Sequence, residues 1–412
     1  MDNMQENEVE TDIELENKPW RMTLAVMFLA QFSAGLGFSF VLPFFPFFFR
    51  ELGVKSNEQV LLWVGWSSVA FGITMTFAAQ MWGLLADKYG RKIMVLRSMM
   101  AGSLILGAMG FATSPWHLLA LRILQGATTG TVTASVTLVS SITPSANLGF
   151  SMGLMYTGIF LGQAAGQLMG GLIAEAYGFR IPCYLAAIVL FIGAILVYLG
   201  ATERFTQPTK KSINGIKTLK TIIAIKGFKA ILLVYFLLYA ISTMIFPILP
   251  LFIEKLAGEN AEAVSLTGII LSVTGLLTGV SAMVYGKIAD RYGRTRILVL
   301  SLILTGIVSI PQSFATSIGV LFFERCLFGL AVGGIIPTVN AIVSKIISRE
   351  HIGSAYGMTS AVTCLGIGMG PMMGSTLATM MGLRAPFAIL GIFSFIVAGL
   401  VYVVFGRMEE QF

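Results

Sequence analysis

GLLADKYGRK, at residues 83–92, returns 203 positions later as GKIADRYGR, at residues 286–294. The repeat extends outward from this segment. FATS at 111–114, followed by Arg122 and Gly126, recurs at 314–317 with Arg325 and Gly329, and the paired prolines at 43 and 46 recur at 247 and 250. The chain is therefore a fused duplication. Internal symmetry of two halves is typical of secondary transporters, whose substrate site lies between the repeats.

The composition indicates a protein that is embedded in lipid. Apolar residues make up 56% of the chain and charged residues 11%, and the 45 glycines suit close helix packing. Because backbone groups in lipid need internal hydrogen bonds, and a spanning helix needs roughly 20 apolar residues, we predict an all-α integral membrane protein. Twelve transmembrane helices in two pseudosymmetric six-helix bundles are expected at 21–49, 60–85, 92–113, 116–142, 149–176, 181–201, 230–253, 263–286, 295–314, 317–346, 354–380 and 385–406.

The charges predict the orientation and the domain boundaries. Of 27 Lys and Arg, five lie in the odd-numbered connections, two within helices and twenty on the other face, which is therefore expected to be cytoplasmic with both termini. An inner-membrane location is expected. The domains are an acidic disordered tail at 1–19, bundles at 20–201 and 230–406, a basic linker at 202–229 and a tail at 407–412. The acidic tail at 1–19 has neither the basic segment nor the cleavage site of a signal peptide, so we do not expect one.

The basic linker, the cysteines and the histidines do not indicate binding of nucleic acid, metal or cofactor. The linker is expected to rest on anionic lipid headgroups, with a dedicated partner site as the alternative, and no nucleic-acid binding is expected. The three cysteines are far apart and odd in number, which predicts neither a disulfide framework nor a metal site. We expect no cofactor and no enzymatic activity, since His117 and His351 stand alone. A monomer is expected.

The duplicated segment resembles the loop 2–3 and loop 8–9 signature of the major facilitator superfamily. The likeness covers about residues 20 to 406. The proline-rich end of predicted helix 1, the Arg122/Gly126 pair and the glycines of predicted helix 5 are similar to the twelve-helix drug:proton antiporters, particularly the bacterial multidrug exporters. One departure is that Gln167 stands where that family has proline, whereas Gly370 and Pro371 retain the motif in the second copy.

The signature residues are candidates for a conformational latch. The resemblance implies that Asp87 and Arg91 hold the cytoplasmic side closed, with Asp87 against the start of predicted helix 11 near Ser354. The alternative is a turn that only obeys the positive-inside rule. The predicted latch residues of both copies are Gly83, Asp87, Gly90, Arg91, Gly286, Asp290, Gly293 and Arg294.

Three charged residues inside predicted helices are candidates for proton coupling. A charge in the membrane costs about 2.5–3.5 kcal/mol by insertion scales unless it faces a cavity or a partner, so Arg122 and Arg325 should face inward. The resemblance associates Arg122 with proton transfer; the alternative is a structural tie. Glu324 is the leading candidate proton carrier, although it could instead be water-exposed near the outer mouth. Adjacent helix residues point about 100° apart, so Glu324 and Arg325 cannot face one spot.

The expected cavity is apolar and adaptable, which the 30 Phe and 22 Met permit. The candidate lining residues are Gln31, Phe38, Met155, Tyr156, Gln163, Gln167, Tyr235, Tyr239, Phe246 and Asn340. For Gln163, Gln167 and Asn340 an interhelical tie is an equal alternative. Helix 1 carries Gln31 and no carboxylate, a departure from many related antiporters.

We therefore predict proton-driven export of lipophilic small molecules or drugs by alternating access, with small-molecule substrate, protons and the bilayer as partners. A facilitator or symporter for a metabolite, peptide or siderophore is the alternative, because the same fold serves many substrates. A membrane-embedded enzyme and a sensor without transport are less compatible with the sequence.

Overall fold

The computed structural model describes the backbone at 2–144, 147–203, 228–258, 262–346 and 352–409, and the side chains at 20–144, 147–203, 228–258, 262–342 and 357–406. Within these described residues, twelve helices follow one another. They are α1 (Asp2–Ser39, then Phe45–Glu51), α2 (Asn57–Tyr89), α3 (Arg91–Met109), α4 (Pro115–Thr128, then Thr131–Ile142), α5 (Leu148–Tyr177), α6 (Arg180–Gly200), α7 (Phe228–Met244, then Ile248–Ala257), α8 (Ala263–Tyr292), α9 (Arg294–Gln312), α10 (Ile318–Val332, then Ile335–Ile346), α11 (Ile352–Met381) and α12 (Ala385–Glu409).

The helices form two bundles with the same internal contacts. In the first half α1 packs on α5 and α6, α2 on α4, and α3 on α6; in the second half α7 packs on α11 and α12, α8 on α10, and α9 on α12. Between the halves, α2 lies along α11 and α5 along α8. The predicted fold of two equivalent six-helix bundles is confirmed.

Ten of the described segments are long and apolar enough to cross a membrane. The two remaining helices are α4, which is divided into segments of 14 and 12 residues, and α5, which is rich in glycine. Both complete the bundles by packing against apolar neighbours, α4 on α2 and α5 on α1. Residues 2–19 of the acidic tail form the first part of the α1 backbone. The predicted disorder of this tail at 1–19 stays a prediction. Most of the basic linker, 204–227, lies outside the described residues.

Four helices are interrupted where continuous helices were expected. The breaks fall in α1, α4, α7 and α10, the first helix of each group of three. Pro43 and Pro46, with Pro247 and Pro250, remove backbone donors at the breaks of α1 and α7. In α4 the chain turns at Gly130, whose φ of 132° is rarely available to residues with a side chain.

Glycines let α5 and α1 approach closely. A Cβ at Gly162 would collide with the carbonyl oxygen of Phe32, and one at Gly170 would lie 2.6 Å from the carbonyl oxygen of Phe40. Packing at this distance provides the van der Waals contact that holds helices together in lipid. The predicted glycine stripe of helix 5 is therefore the α1 interface of the first bundle.

The α5–α8 seam between the halves is tight at one end and open at the other. We call the end with the odd-numbered connections the outer end and the other the inner end. Towards the outer end, a Cβ at Gly171 would lie 3.0 Å from Gly268 of α8, and one at Gly65 would lie 3.2 Å from Met372 of α11. At the inner end of the α5 and α8 seam, glycines 149, 153 and 286 have no atom within 4 Å of an added Cβ. Among the described residues, the α5–α8 seam is closed outside and open inside, whereas α2 and α11 stay in contact as far inward as Gln80, whose Nε2 donates to the Gly357 carbonyl at 2.8 Å.

Candidate functional site

A cluster of uncharged polar and aromatic side chains lies between the halves. We name it the tyrosine cluster: Tyr156 of α5, Tyr235 and Tyr239 of α7, Asn340 of α10 and Thr363 of α11. The Tyr235 hydroxyl donates to Asn340 Oδ1 at 2.9 Å. The Tyr239 hydroxyl lies close to the side chains of Asn340 and Thr363, and Tyr156 of α5 lies nearby. The structure thus brings together four predicted cavity residues from three separate helices.

The cluster combines flat apolar surfaces with hydrogen-bonding groups. The rings of Tyr235 and Tyr239 are stacked, with centroids 6.4 Å apart and planes at 22°. Tyr156 is 46% exposed. Aromatic surfaces with a few placed polar groups are typical of small-molecule sites. None of the five side chains carries a charge at neutral pH.

Two more predicted cavity residues, Gln163 and Gln167, lie on α5, and a third, Phe246, lies on α7. Gln163 is exposed two turns from Tyr156 on the same side of α5. Gln167 faces α8, with its Oε1 atom 3.6 Å from the Cβ position of Gly275, and this buried oxygen has no hydrogen-bond partner among the described residues. Phe246 is half-buried at the break of α7.

The remaining predicted cavity residues pack inside the first half. Gln31 is fully buried and its Nε2 donates to the Val132 carbonyl of α4 at 3.3 Å, which ties α1 to α4. Met155 is fully buried. The ring of Phe38 lies 3.4 Å from the Cβ position of Gly102 on α3. The structure does not bring these three to the tyrosine cluster.

Arg122 is buried without a carboxylate partner among the described residues. Its Nη1 donates to Gln125 Oε1 at 2.5 Å, one turn further along α4. Its guanidinium lies 4.1 Å from the ring centroid of Phe71 on α2 and 5.6 Å from that of Phe45 on α1. A cation over aromatic rings is stabilised by their quadrupoles, more strongly when water is absent. Sequence reasoning missed all three partners, although Gln125 at i+3 was visible in the sequence.

Arg325 and Glu324 occupy different environments. The Arg325 guanidinium lies 4.4 Å from the Phe328 ring on its own helix, and its Nε and Nη1 atoms have no hydrogen-bond partner among the described residues. Glu324 is half-buried, and its Oε2 is likewise buried without such a partner. No ion pair joins the two described side chains, as the 100° turn between neighbours implies.

The duplicated segments end in turns of the same shape. Gly90 and Gly293 follow α2 and α8 with φ of 91° and 100°, which explains glycine at both positions. Asp290 pairs with Arg294 at 3.0 Å, and Arg294 also donates to the Ala341 carbonyl of α10. Asp87 is exposed and forms no ion pair with a described residue.

The predicted latch partner, Ser354, lies in the segment 352–356, whose side chains are outside the described residues. The backbone amides of Arg91 and Lys92 donate to the carboxylate of Glu203, both at 2.8 Å. Glu203 follows α6 in the chain, so its carboxylate caps the start of α3 from a neighbouring helix. The sequence did not indicate this arrangement.

The break of α4 has its own support, which sequence reasoning missed. The Trp82 indole donates to the Ala127 carbonyl at 2.7 Å, and Arg97 Nη1 donates to the Thr128 carbonyl at 2.8 Å. The Arg97 guanidinium lies 3.4 Å from the centroid of the Trp82 ring. These donors satisfy carbonyls that the interrupted helix leaves free. In the sequence, Gly130 was the residue that could have indicated this break of α4.

The comparisons with known proteins agree with this architecture. The profile of the Major Facilitator Superfamily matches residues 27–258 and 231–411. The chain therefore belongs to the major facilitator superfamily, whose members are membrane transporters.

Individual proteins within the superfamily resemble this chain along nearly its whole length. The chain is 32% identical over 377 residues to the multidrug resistance protein MdtG of Proteus mirabilis, covering 90% of this chain and 92% of that protein. The Salmonella typhimurium protein of the same name is also 32% identical, over 376 residues. Among solved structures, the nucleoside transporter NupG superposes with a TM-score of 0.78 at 15% identity, covering 93% of this chain and 99% of that one.

Proposed function

We propose that this protein exports lipophilic small molecules or drugs by proton-coupled alternating access. The observation that carries the proposal is the tyrosine cluster, which has members from both halves and lies where a rocking transporter holds its substrate. The likeness to proteins named for multidrug resistance, along nearly the whole chain, supports the direction and substrate class. The opening at the inner end of the α5–α8 seam would let substrate enter from inside.

The cluster is suited to varied lipophilic molecules. Aromatic rings of a substrate can pack against the exposed Tyr156 and the half-buried Tyr239, while the hydroxyls, Asn340 and Thr363 satisfy its polar atoms. Gln163 extends the same surface towards the outer end. Without a fixed charge, such a site selects by shape and hydrogen bonding rather than by ion pairing.

Proton coupling is assigned to Glu324, Arg122 and Arg325. A carboxyl group in a low-dielectric site favours its protonated form, and a buried arginine nearby opposes this. Protonation changes the charge that is buried in one of the two arrangements of the halves, so it shifts the equilibrium between the inward-open and outward-open states. Substrate binding shifts this equilibrium in the opposite direction. The Asp87 and Asp290 segments latch the inner end in the opposite state.

The location follows from the charge distribution. The inner end faces the cytoplasm, both termini lie there, and the protein acts as a monomer in the cytoplasmic membrane. A cysteine replacing Lys55 at the outer end is therefore expected to react with an impermeant maleimide added to intact cells, and a tag after residue 412 is expected to be inaccessible from outside.

The binding role is tested with Tyr239→Phe in proteoliposomes. This change removes the hydroxyl that neighbours Asn340 and Thr363, so we expect the concentration for half-maximal transport of a lipophilic fluorescent dye to rise about threefold to tenfold. Tyr402→Phe, at a 68% exposed position on α12, is the matched control. Equal behaviour of the two variants would contradict the assignment of the site.

The coupling role is tested with Glu324→Gln under an imposed pH gradient. We expect gradient-driven dye efflux to fall at least about tenfold and to lose its dependence on pH, while dye binding is retained. Glu58→Gln, an exposed carboxylate at the outer end, should change neither. Unchanged efflux in Glu324→Gln refutes the coupling assignment, and efflux that no gradient drives in the wild type favours a facilitator.

A further inference from the structure

A charged cleft of about 650 Å³ lies over the closed outer seam. It is lined by residues of both halves, among them the five charged side chains of Arg50, Glu51, Glu175, Glu254 and Lys255. Sequence reasoning counted the basic residues of these connections only for orientation. The contacts inside the cleft give them a different role.

The first contact joins equivalent positions of the two repeats. Arg50 Nη1 lies 2.6 Å from Glu254 Oε1. The two residues are 204 positions apart, the same offset that relates Pro43 and Pro46 to Pro247 and Pro250. Residues related by the pseudo-twofold axis meet only where that axis passes between them. An exact copy would place like charges here, and like charges this close repel. Divergence to Arg and Glu has made the contact attractive.

Arg50 is held in place for this pairing. Its Nη2 donates to Asn57 Oδ1 at 2.5 Å at the start of α2, and its guanidinium lies 5.9 Å from the Phe47 ring. The side chains of Arg50 and Glu254 are 27% and 37% exposed, so water reaches the pair but does not surround it. A pre-oriented arginine loses less entropy on pairing than a free one.

The second contact also crosses between the halves. Glu175, near the end of α5, accepts hydrogen bonds from the backbone amides of Val264 at 2.8 Å and Ser265 at 3.0 Å, at the start of α8. These amides are among the first of the helix, which have no intrahelical acceptor. A carboxylate at this end also interacts favourably with the helix dipole.

We propose that the Arg50–Glu254 pair and the Glu175 cap form an outer gate that holds the inward-open state and breaks in each transport cycle. The proposal rests on the alternating access of the proposed function. Both ties connect the halves only while the outer seam is closed, so their loss favours the outward-open state. Together with the Asp87 segment at the inner end, the gate would set the balance of the two states.

The cleft itself supplies a matched control. Arg180 pairs with Glu51 at 3.3 Å, at the same surface and with similar exposure, but both residues belong to the first half. Breaking this pair removes an ion pair without releasing one half from the other. A general effect of charge on the outer surface would therefore appear in Glu51→Gln as well.

The test measures distances between spin labels by double electron–electron resonance in nanodiscs. One pair replaces Lys55 and Met381 across the outer seam; the other replaces exposed Phe150 and Val284 across the inner seam, with the three native cysteines replaced. In Glu254→Arg, which sets two arginines face to face, and in Glu175→Ala, we expect the outward-open population to rise about threefold to tenfold. The swap Arg50→Glu with Glu254→Arg should restore the wild-type distances.

The outcomes separate the gate from its alternatives. A longer outer distance with a shorter inner distance supports the gate. An unchanged outer distance, an outer change without an inner one, a swap that fails to restore, or an equal effect of Glu51→Gln overturns it. Because no substrate or gradient is present, these distances stand apart from the efflux assays. A protein that fails to export dye can still have this gate, and an exporter can lack it.

Discussion

At the scale of single residues, the two buried arginines show how this protein keeps charge inside lipid. Arg122 lies over the rings of Phe71 and Phe45 and donates to Gln125. Arg325 has a phenylalanine at the i+3 position where Arg122 has its glutamine. Equivalent positions of the repeat thus carry the same charge in different surroundings. The better-partnered arginine is more suited to a fixed role, and the other leaves donors for a changing partner.

Arg122→Lys tests whether the planar guanidinium is required. Lysine keeps the charge but loses the flat face that stacks on Phe71 and the paired geometry of the Gln125 contact. We expect gradient-driven efflux to fall about tenfold, with a lower maximal rate and unchanged dye binding. Arg296→Lys, at an exposed site near the start of α9, is the control. Full efflux in Arg122→Lys would show that the charge alone suffices.

At the scale of helices, the glycines of α5 have unequal roles. Those at the outer part of the stripe touch the α1 backbone, whereas Gly153 and Gly149 at the inner end have no close neighbours. The same residue type therefore serves packing in one part of the helix and leaves open space in another. The α4 break adds a second contrast, because side chains from α2 and α3 support it.

Gly162→Val is expected to destabilise the first bundle. A Cβ at this position collides with the Phe32 carbonyl, so α1 and α5 must separate, and overpacking of this kind costs about 1–3 kcal/mol. The thermal midpoint of the purified protein should fall. Gly153→Val places the same side chain on the same helix in open space, and it should keep the wild-type midpoint. If both variants melt alike, helix propensity rather than packing is responsible.

At the scale of the whole molecule, transport requires that both ends can close. The structure has the outer end closed and Asp87 exposed at the inner end. We expect Asp87→Asn to weaken the opposite state, lowering dye efflux severalfold and lengthening the mean distance between labels at Phe150 and Val284. Glu58→Gln should leave both unchanged. An Asp87→Asn protein with wild-type distances and efflux would limit this segment to a turn.

The sequence by itself determined the architecture. The 203-residue repeat and the apolar composition were enough to predict two six-helix bundles, because lipid demands long apolar helices and a duplicated pattern demands a duplicated fold. The positive φ at Gly90 and Gly293 also agrees with the predicted turns. These features depend on local backbone chemistry and on hydrophobicity, which can be read position by position.

Only the tertiary structure decided which side chains meet. It paired Tyr235 with Asn340 and placed Tyr156 near Tyr239. It left Gln31, Met155 and Phe38 inside the first half. It also paired Arg50 with Glu254 and seated Glu175 on α8. In a helix that is apolar on every face, sequence periodicity does not distinguish the faces turned to lipid, to a neighbour or to the cavity. That choice depends on how two bundles dock, a relation between residues about 200 positions apart.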